Sequence, residues 1–304
     1  MHRCRGRRRS RAEGAPCGVR SRHPRSDRRG GAALIRVERL DAVDSTNDVA
    51  AARLASGAAT PLIVRADTQR AGRGRHSRAW LDAPGSSLLF SLALRGDEIP
   101  ADPSRAWRVG AELALAAADA IEDGAFLTMN TVALKWPNDL VLRTIDGGVT
   151  SGFRKFGGAL AEASALGTPE ATLIVGMGIN VRGDVARLDP ALAATATSLE
   201  LASGRPVDRE AIFDDLVARL SGRLAALAAG RFDVAGWRAR QLLDGCEVEI
   251  IGGGASAQGD AARLVGRVVG HDGGDGALLV EADGVEHRVS AGEVVRVRLA
   301  PTLG

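Results

Sequence analysis

The sequence is poor in the residues that build covalent frameworks. Its 304 residues include only three cysteines, too few and too scattered for a set of disulfides or a metal site. No run reaches the roughly eighteen apolar residues that a membrane span needs, and no basic start followed by an apolar core marks a signal peptide. We therefore expect a cytoplasmic protein without a membrane partner. The apolar content of 45% is ordinary for a globular protein, and the length suits one large and one small domain.

Positive charge is concentrated at the N-terminus. Residues 1–30 hold eleven arginines against Glu13 and Asp27, a local balance of +9 within a total of +3. The rest of the chain is therefore mildly acidic, at −6. An arginine-rich segment with few apolar residues cannot fold alone, so we expect residues 1–33 to be a disordered arm. Such an arm could bind nucleic-acid phosphates, which keeps a nucleic-acid-binding regulator open as an alternative function.

The middle of the chain predicts a domain of mixed helices and strands. Apolar periodicity predicts helices over 44–54, 105–122 and 208–229. Asp208 is a candidate N-cap for the last of them, and Gly57 ends the first. Strand-like runs lie at 33–37, 62–66, 87–94, 132–135, 139–142, 158–163 and 172–181.

The pattern changes near Leu243. Glycine-rich turns then separate five short strand-like runs, at 246–251, 263–270, 277–281, 285–289 and 293–298. Five short strands in about sixty residues predict a small barrel of SH3-like size. We therefore expect a catalytic or binding domain at 34–243 and a small β-barrel domain at 244–304.

A glycine–arginine loop, Gly72 to Trp80, lies between two of the predicted strands. Its glycines let the backbone approach a ligand, and Arg73, Arg75 and Arg78 offer forked donors that suit carboxylates and phosphates. The alternative is a flexible surface turn with solvated arginines. A tryptophan is a costly residue to expose in such a turn, so the pattern favours an anion-binding site.

Four shorter motifs place polar side chains at the ends of predicted elements: Ser45-Thr46-Asn47-Asp48, Lys135-Trp136-Pro137-Asn138-Asp139-Leu140, Lys155-Phe156-Gly157-Gly158 and Gly176-Met177-Gly178-Ile179-Asn180. Each also has a purely structural interpretation. Ser45 and Asp48 fit a capping box, and residues 137–139 fit a turn above Trp136. Lys155 fits an ordinary surface lysine. The last motif fits either a strand bend or a place where a flat ligand group lies against the backbone.

In this order the motifs resemble those of the biotin protein ligases. The resemblance covers roughly residues 35–300 and includes Gln69, Thr197-Ser198-Leu199 and Trp237-Arg238. It implies an α+β fold, with a mixed sheet and flanking helices like those of class II aminoacyl-tRNA synthetases, followed by a small SH3-like β-barrel. It also implies two reaction steps. Biotin and ATP give biotinyl-5′-adenylate, and the biotinyl group then passes to a specific lysine of a biotin carboxyl carrier protein of acyl-CoA carboxylases.

The resemblance implies a role for each motif. Arg73, Arg75, Lys155 and Asp139 form the catalytic set, and we expect Asp139 to orient or deprotonate the incoming carrier lysine. The implied biotin-binding residues are Ser45, Thr46, Asn47, Gln69, Arg73, Gly74, Arg75, Lys155 and Gly158. The implied ATP-binding residues are Arg75, Trp80, Lys135, Asn138 and Asn180. Mg²⁺ is expected to accompany ATP, and no metal ligand is assigned with certainty.

The sequence departs from the family pattern in one place and leaves alternatives open. Residues 143–154 are longer than the usual hairpin, and their glycines and polar residues predict an extended hairpin tip. Some family members carry an N-terminal DNA-binding domain, but residues 1–34 lack the length and periodicity for one, so we expect the ligase-only form without a nucleic-acid partner. A lipoate or octanoate ligase or transferase of the same fold is the nearest alternative. The sequence is compatible with a monomer or a weak homodimer.

Overall fold

The computed structural model describes residues 34–252 and 263–299. The arginine-rich arm expected at 1–33 lies outside these ranges. None of the helices within them combines the length and apolar character needed to cross a bilayer.

In the described ranges, seven strands form a mixed sheet: β1 (Arg36–Val43), β2 (Leu62–Gln69), β3 (Ser87–Arg95), β4 (Val132–Lys135), β5 (Asp139–Asp146), β6 (Val149–Ser164) and β7 (Thr172–Asn180). Their order across the sheet is β1-β2-β3-β7-β6-β5-β4. β1 and β2 run parallel, and the other neighbouring pairs are antiparallel. The mixed sheet expected from the sequence is confirmed.

Several strands are longer than the sequence predicted, and β1 and β6 extend furthest beyond their predicted bounds. β1 continues to Val43, although its predicted end was residue 37. It lies at the sheet edge, where several side chains are charged and exposed, so no apolar run marks its second half. β6 begins at Val149 rather than at residue 158. Its first half is a hairpin arm of exposed and half-buried residues with no apolar run to mark it.

That hairpin is the extension predicted over residues 143–154. Asp146 pairs with Val149 across a two-residue turn, Gly147-Gly148. Both turn residues have positive φ, at 59° and 84°, which a tight hairpin turn of this length requires and glycine adopts without steric cost. The prediction of an extended hairpin tip is confirmed.

Helices cover the large sheet: α1 (Thr46–Ala55), α2 (Trp107–Gly124), α3 (Leu199–Ser203), α4 (Arg209–Ala228) and α5 (Val234–Ala239). α4 begins as predicted, since the Asp208 carboxylate accepts hydrogen bonds from the backbone of Glu210 and Ala211. α2 and α4 pack closely at Gly124. A Cβ on this residue would lie only 2.5 Å from Ile212 Cγ1, so the close approach requires glycine. The sequence missed α3 and α5, which are too short to show helical periodicity.

The described residues after 246 form a five-stranded antiparallel sheet, which confirms the expected second β-sheet. Its strands are β8 (Glu247–Ile251), β9 (Arg263–His271), β10 (Leu278–Ala282), β11 (Val285–Val289) and β12 (Glu293–Arg298), in the order β11-β10-β9-β8-β12.

The second sheet packs directly on the first. Val248, Ile250 and Leu278 share one apolar cluster with Trp136 and Val141 of the large sheet. The indole nitrogen of Trp136 also donates to the carbonyl oxygen of Gly276, at 3.2 Å. This shared core brings the start of β12 to the edge of the large sheet where the polar motifs lie.

Candidate active site

The structure brings all fourteen site residues proposed from the sequence to one cavity of about 670 Å³. The cavity opens between the start of α1, the glycine–arginine loop, the β4–β5 turn, β6, β7 and the start of β12. The proposed residues in its lining are Ser45, Thr46, Asn47, Gln69, Arg73, Gly74, Arg75, Trp80, Lys135, Asn138, Asp139, Lys155, Gly158 and Asn180.

The interpretation of Ser45 and Asp48 as a capping box is wrong. Within the described part of the chain, the Ser45 side chain makes no capping hydrogen bond, and the Asp48 carboxylate binds Arg73 instead. Gln69 Oε1 takes the place of a cap, accepting from the Thr46 backbone N–H at 2.7 Å and lying 3.1 Å from Thr46 Oγ1. The parallel pairing of β1 and β2 explains this, because it sets Gln69 beside Val43, just before the helix.

Asn47 carries a buried donor that the protein leaves unused. Ser91 Oγ lies 2.6 Å from Asn47 Oδ1, while Nδ2 is buried with no hydrogen-bond partner among the described residues. The amide fits here because β7 has a glycine at 176, where a Cβ would lie 2.2 Å from Asn47 Oδ1. An unpaired buried N–H is costly, so this position favours a ligand that brings an acceptor oxygen.

Ser91 was missed by the sequence reasoning. It also lies 2.7 Å from Thr46 Oγ1, so it links the two polar residues at the start of α1. The available signal was a hydroxyl inside the otherwise apolar run of β3, where its six neighbours from Leu88 to Leu94 are buried with it.

Trp80 packs against Gly178 of β7, where the sequence allowed either a strand bend or a flat ligand group. A Cβ on Gly178 would lie 2.6 Å from the indole ring, so the glycine lets the ring lie directly against β7. The indole Nε1 is buried and finds no partner in the described ranges. The glycines of this motif therefore admit the protein's own Asn47 and Trp80, and both side chains keep an unused donor at the cavity.

A β-bulge sets the position of Lys155. Leu140 pairs with Gly157 and Val141 with Lys155, so Phe156 is the extra residue on β6. Phe156 is fully buried, and the bulge locally re-aims its neighbours. The ammonium of Lys155 lies close to Gly158, where a Cβ would come within 3.4 Å of Nζ. Its backbone is held by residues 195–197, through 2.8 Å hydrogen bonds to Thr195 and from Thr197.

Two ammonium groups converge on one carboxylate at the cavity. Lys155 Nζ lies 2.5 Å from Asp139 Oδ1, and Lys135 Nζ lies 3.9 Å from Asp139 Oδ2. Burial lowers the pKa of Lys135, a shift that nearby Asp139 opposes and Lys155 reinforces. Two cations with one anion leave a local excess of positive charge, which suits a phosphate or carboxylate ligand.

The glycine–arginine loop is a short hairpin with its own backbone hydrogen bonds. Gly74 N–H donates to Arg78 O at 2.8 Å, and Trp80 N–H donates to Gly72 O at 2.9 Å. The Arg73 guanidinium binds both carboxylate oxygens of Asp48 at 2.7 Å, and this pairing raises its pKa. It is therefore held at the rim rather than aimed freely into the cavity.

The two predicted asparagines are fixed by backbone contacts. Asn138 Nδ2 donates to the carbonyl oxygen of Ala159 at 2.6 Å, and Asn180 Nδ2 donates to that of Thr197 at 3.2 Å. The cavity also has lining residues that the sequence did not indicate, and these come from distant segments: Val185, Asp189, Leu192, Thr195, Ala196, Glu293 and Val294. No local pattern marks them, because only the tertiary fold brings them here.

Comparisons with known proteins agree with this geometry. The model of the Biotin/lipoate A/B protein ligase family matches residues 40–180. A biotin--[acetyl-CoA-carboxylase] ligase of Mycobacterium tuberculosis (strain ATCC 25618 / H37Rv) is 31% identical over 259 residues, which cover 84% of this chain and 86% of the relative. A ligase of the same name from Paracoccus denitrificans is 33% identical over 180 residues, 58% of this chain and 67% of the relative.

A solved structure supports the same conclusion. The biotin protein ligase of Aquifex aeolicus in complex with biotin and ATP matches with a TM-score of 0.67 and 26% identity, over 87% of this chain and 99% of that one. The mixed sheet, the cationic cavity and the second β-sheet thus define a ligase of the biotin and lipoate class. Within that class, the chain belongs to the biotin protein ligase family.

Proposed function

We propose that this chain is an ATP-dependent ligase that forms biotinyl-5′-adenylate and transfers the biotinyl group to a lysine of a biotin carboxyl carrier protein. One observation carries the proposal most directly. A single cavity of about 670 Å³ has two lysine ammonium groups on one wall and the unpaired amide donor of Asn47 on another. Such a cavity suits a molecule with a carboxylate at one end and a neutral polar group at the other.

The cationic wall suits the first step. An oxygen of the biotin carboxylate attacks the α-phosphorus of ATP, the bond to the β-phosphate breaks, and pyrophosphate leaves. Both reactants are anions, so fixed positive charge near the reacting atoms lowers the barrier. Lys155 is the proposed catalytic cation, because the bulge on β6 holds its ammonium at the cavity. Lys135 adds a second positive charge beside it.

The polar end of the cavity suits the ureido group of biotin. Asn47 Nδ2 offers a donor to a carbonyl oxygen, and Thr46 and Gln69 form a fixed polar wall next to it. Neutral hydroxyl and amide groups are the natural partners of a urea, since they supply hydrogen bonds without a net charge. Ser45 and Gly74 line the same cavity, as does the indole of Trp80.

The contacts of Asp139 support a role for this carboxylate in both steps. Its two oxygens face Lys155 and Lys135, so it acts as a positioning residue for both ammonium groups in the first step. In the second step the carrier lysine attacks the carbonyl carbon of the adenylate, AMP leaves, and the lysine nitrogen loses a proton. We propose that Asp139 also helps orient that lysine when it enters the cavity.

The triphosphate itself is expected to bring Mg²⁺ to the site. Among the residues that the structure describes, no group of three His, Cys, Asp or Glu side chains is arranged to hold a metal ion. Asp139 already faces two ammonium groups. Mg²⁺ commonly keeps most of its ligands from water and phosphate oxygens, so a dedicated protein cage is not required.

A lipoate or octanoate ligase is the nearest competing function, and the Asn47 environment argues against it. A medium-chain fatty acid has no polar group to meet a buried amide donor, and leaving that donor unpaired would weaken binding. Biotin satisfies the donor. The relatives from Mycobacterium tuberculosis and Paracoccus denitrificans are both named biotin--[acetyl-CoA-carboxylase] ligases, which also supports biotin as the substrate and a carboxylase as the partner.

The full reaction tests the proposal. Purified chain, ATP and biotin are mixed with a biotin carboxyl carrier domain, and mass spectrometry follows the mass of the carrier lysine. We expect biotinylation by the wild-type chain and by Arg154→Met, which removes an exposed cation next to the site. Lys155→Met should lose about 10²–10³-fold in rate, the loss typical of one electrostatic contact to a transition state. A wild-type chain that leaves the carrier unmodified would overturn the proposal.

A further inference from the structure

The tip of the glycine–arginine loop is tied to the second sheet. Arg78 Nη2 lies 2.5 Å from Glu293 Oε1, and His76 Nε2 lies 3.7 Å from Glu293 Oε2. Next to this carboxylate, Arg75 Nη2 donates to the carbonyl oxygen of Gly292 at 3.0 Å. Three side chains of the loop, Arg75, His76 and Arg78, thus contact Gly292 and Glu293, where β12 begins.

The start of β12 is a firm anchor for these contacts. Glu293 pairs with Ile251 of β8, and the backbone of Gly292 approaches so closely that a Cβ there would lie 2.3 Å from the carbonyl oxygen of Gly252. Lys135 donates to the carbonyl oxygen of Val294 at 3.2 Å. The anchor is therefore held both by its own sheet and by the large sheet.

The loop tip has a backbone conformation that needs outside support. His76 and Ser77 have φ values of 55° and 58°, in the left-handed region that residues other than glycine rarely adopt. The backbone hydrogen bond between Gly74 and Arg78 closes the hairpin below the tip. Inside the tip, Arg78 N–H also donates to Arg75 O at 3.2 Å, and the side-chain contacts with residues 292–293 add to this hydrogen bond in opposing relaxation of the tip.

The anchored loop covers the cavity on the side of the cationic wall. Arg75, His76, Arg78 and Glu293 all line the cavity, together with Lys155. An acyl-adenylate held there is a mixed anhydride. Water attack on its carbonyl carbon would release free biotin and AMP and waste one ATP for each molecule lost. Retention of the intermediate therefore depends on a loop that stays closed until the carrier arrives.

We propose that Glu293 is a positioning residue that holds this loop closed and so couples adenylate formation to transfer. It acts through Arg78 and His76 rather than on the reacting atoms, and the inference rests on the proposed function. Removing the carboxylate leaves the hairpin and the cationic wall in place but loosens the loop tip, which then keeps its contact with β12 only through Arg75 and the carbonyl oxygen of Gly292. The adenylate then escapes or hydrolyses more often before transfer.

The test compares pyrophosphate released with carrier biotinylated in the same reaction of the full chain. For the wild type we expect a ratio close to one. For Glu293→Gln we expect the ratio to rise about twofold to fivefold, the effect of losing a partly exposed ion pair. A merely structural defect would lower both products together and leave the ratio unchanged.

Glu249→Gln is the matched control. Glu249 also lies on the second sheet and faces two arginines, Arg263 and Arg296, which belong to that sheet and not to the loop. Its ratio should equal that of the wild type. Glu293→Asp keeps the charge and should recover part of the coupling.

The double variant Arg78→Ala with Glu293→Gln checks the route of the effect. If the two residues act through one ion pair, the double variant should raise the ratio no more than the larger single change. A wild-type ratio in Glu293→Gln, with an active wild-type enzyme, would overturn the role of Glu293 and leave the proposed function intact. An inactive wild-type chain would instead count against the proposed function.

Discussion

The Nζ atom of Lys155 lies 2.5 Å from Oδ1 of Asp139, where β6 carries one residue more than its partner strand β5. The extra residue, Phe156, is buried, and the lysine beside it is held at the cavity. A side chain as flexible as lysine gains catalytic value when its position is fixed before the substrate arrives. The bulge supplies the backbone part of that fixation, and the carboxylate supplies the side-chain part.

The first prediction concerns this pair. Asp139→Asn keeps the shape of the side chain but removes the charge that holds both ammonium groups. We expect the rate of adenylate formation to fall by about 10²-fold, since misplacing a reacting group by about 1 Å has that effect. Pyrophosphate exchange at saturating biotin and ATP measures the rate. The control is Asp146→Asn at the other end of β5, where the exposed carboxylate contacts Ser151. Equal rates for Asp139→Asn and the control would contradict a positioning role.

The second prediction concerns the biotin-binding end of the cavity. Gly176→Ala places a Cβ 2.2 Å from Asn47 Oδ1, a clash that forces the amide to move away from Ser91. We expect the KM for biotin to rise about tenfold, the equivalent of one lost hydrogen bond in a buried site, with little change in the KM for ATP.

Gly222→Ala is the matched control for that variant. A Cβ at Gly222 meets open space on the surface of α4. Its steady-state constants should equal those of the wild type, and its stability should be equal or slightly greater, since alanine favours a helix over glycine. If Gly176→Ala binds biotin normally, Asn47 does not donate a hydrogen bond to biotin.

The third prediction links stability to pH through Lys135. Because burial lowers the pKa of this ammonium, the unfolded chain holds the proton more tightly than the folded chain. The charge therefore destabilises the fold below the lowered pKa, and this cost disappears as the pH rises from that pKa toward about 10.4, where free lysine titrates. Lys135→Met should unfold at a higher denaturant concentration than the wild type at pH 7, and the difference should narrow at alkaline pH.

The same variant should lose activity while it gains stability. Lys135 contributes positive charge to the cavity, so Lys135→Met should slow pyrophosphate exchange even at pH 7. A variant that is less stable than the wild type across the whole pH range would show that the contacts of Lys135 with Asp139 and Val294 outweigh its burial.

Much of the fold follows from local patterns in the sequence. Runs such as 172–181 are apolar enough to mark an interior strand, and Asp208 begins a helix because a carboxylate satisfies free backbone N–H groups. The order of the polar motifs also led to fourteen proposed site residues, and all of them line one cavity. These features depend on neighbours along the chain, which the sequence displays directly.

The errors concern contacts between distant segments. Gln69 replaces the cap of α1 only because β1 and β2 pair in parallel. The register of such a pair cannot be predicted from the sequence of either strand alone. Trp80 covers Gly178 only because the loop folds back on β7. Glu293 meets Arg78 from more than two hundred residues further along the chain, so no local pattern could connect them.

The fourth prediction concerns stability away from the cavity. Arg240, directly after α5, binds both oxygens of Glu122 at 2.9 Å, and both residues are buried. Arg240→Ala leaves that carboxylate buried without its cation and should cost about 3–5 kcal/mol of unfolding free energy. Arg219→Ala, which breaks an exposed pair with Asp123, should cost at most about 1 kcal/mol. Urea denaturation followed by circular dichroism compares them, and similar losses would contradict the importance of burial.

Adenylate formation is tested most directly by the exchange of labelled pyrophosphate into ATP by the purified chain, with biotin, lipoate or octanoate supplied separately. We expect exchange with biotin alone, because only biotin meets both the cationic wall and the buried donor of Asn47. Exchange with lipoate or octanoate but not biotin would contradict the assigned substrate and keep the ligase chemistry. Absence of exchange with all three acids would contradict adenylate formation itself.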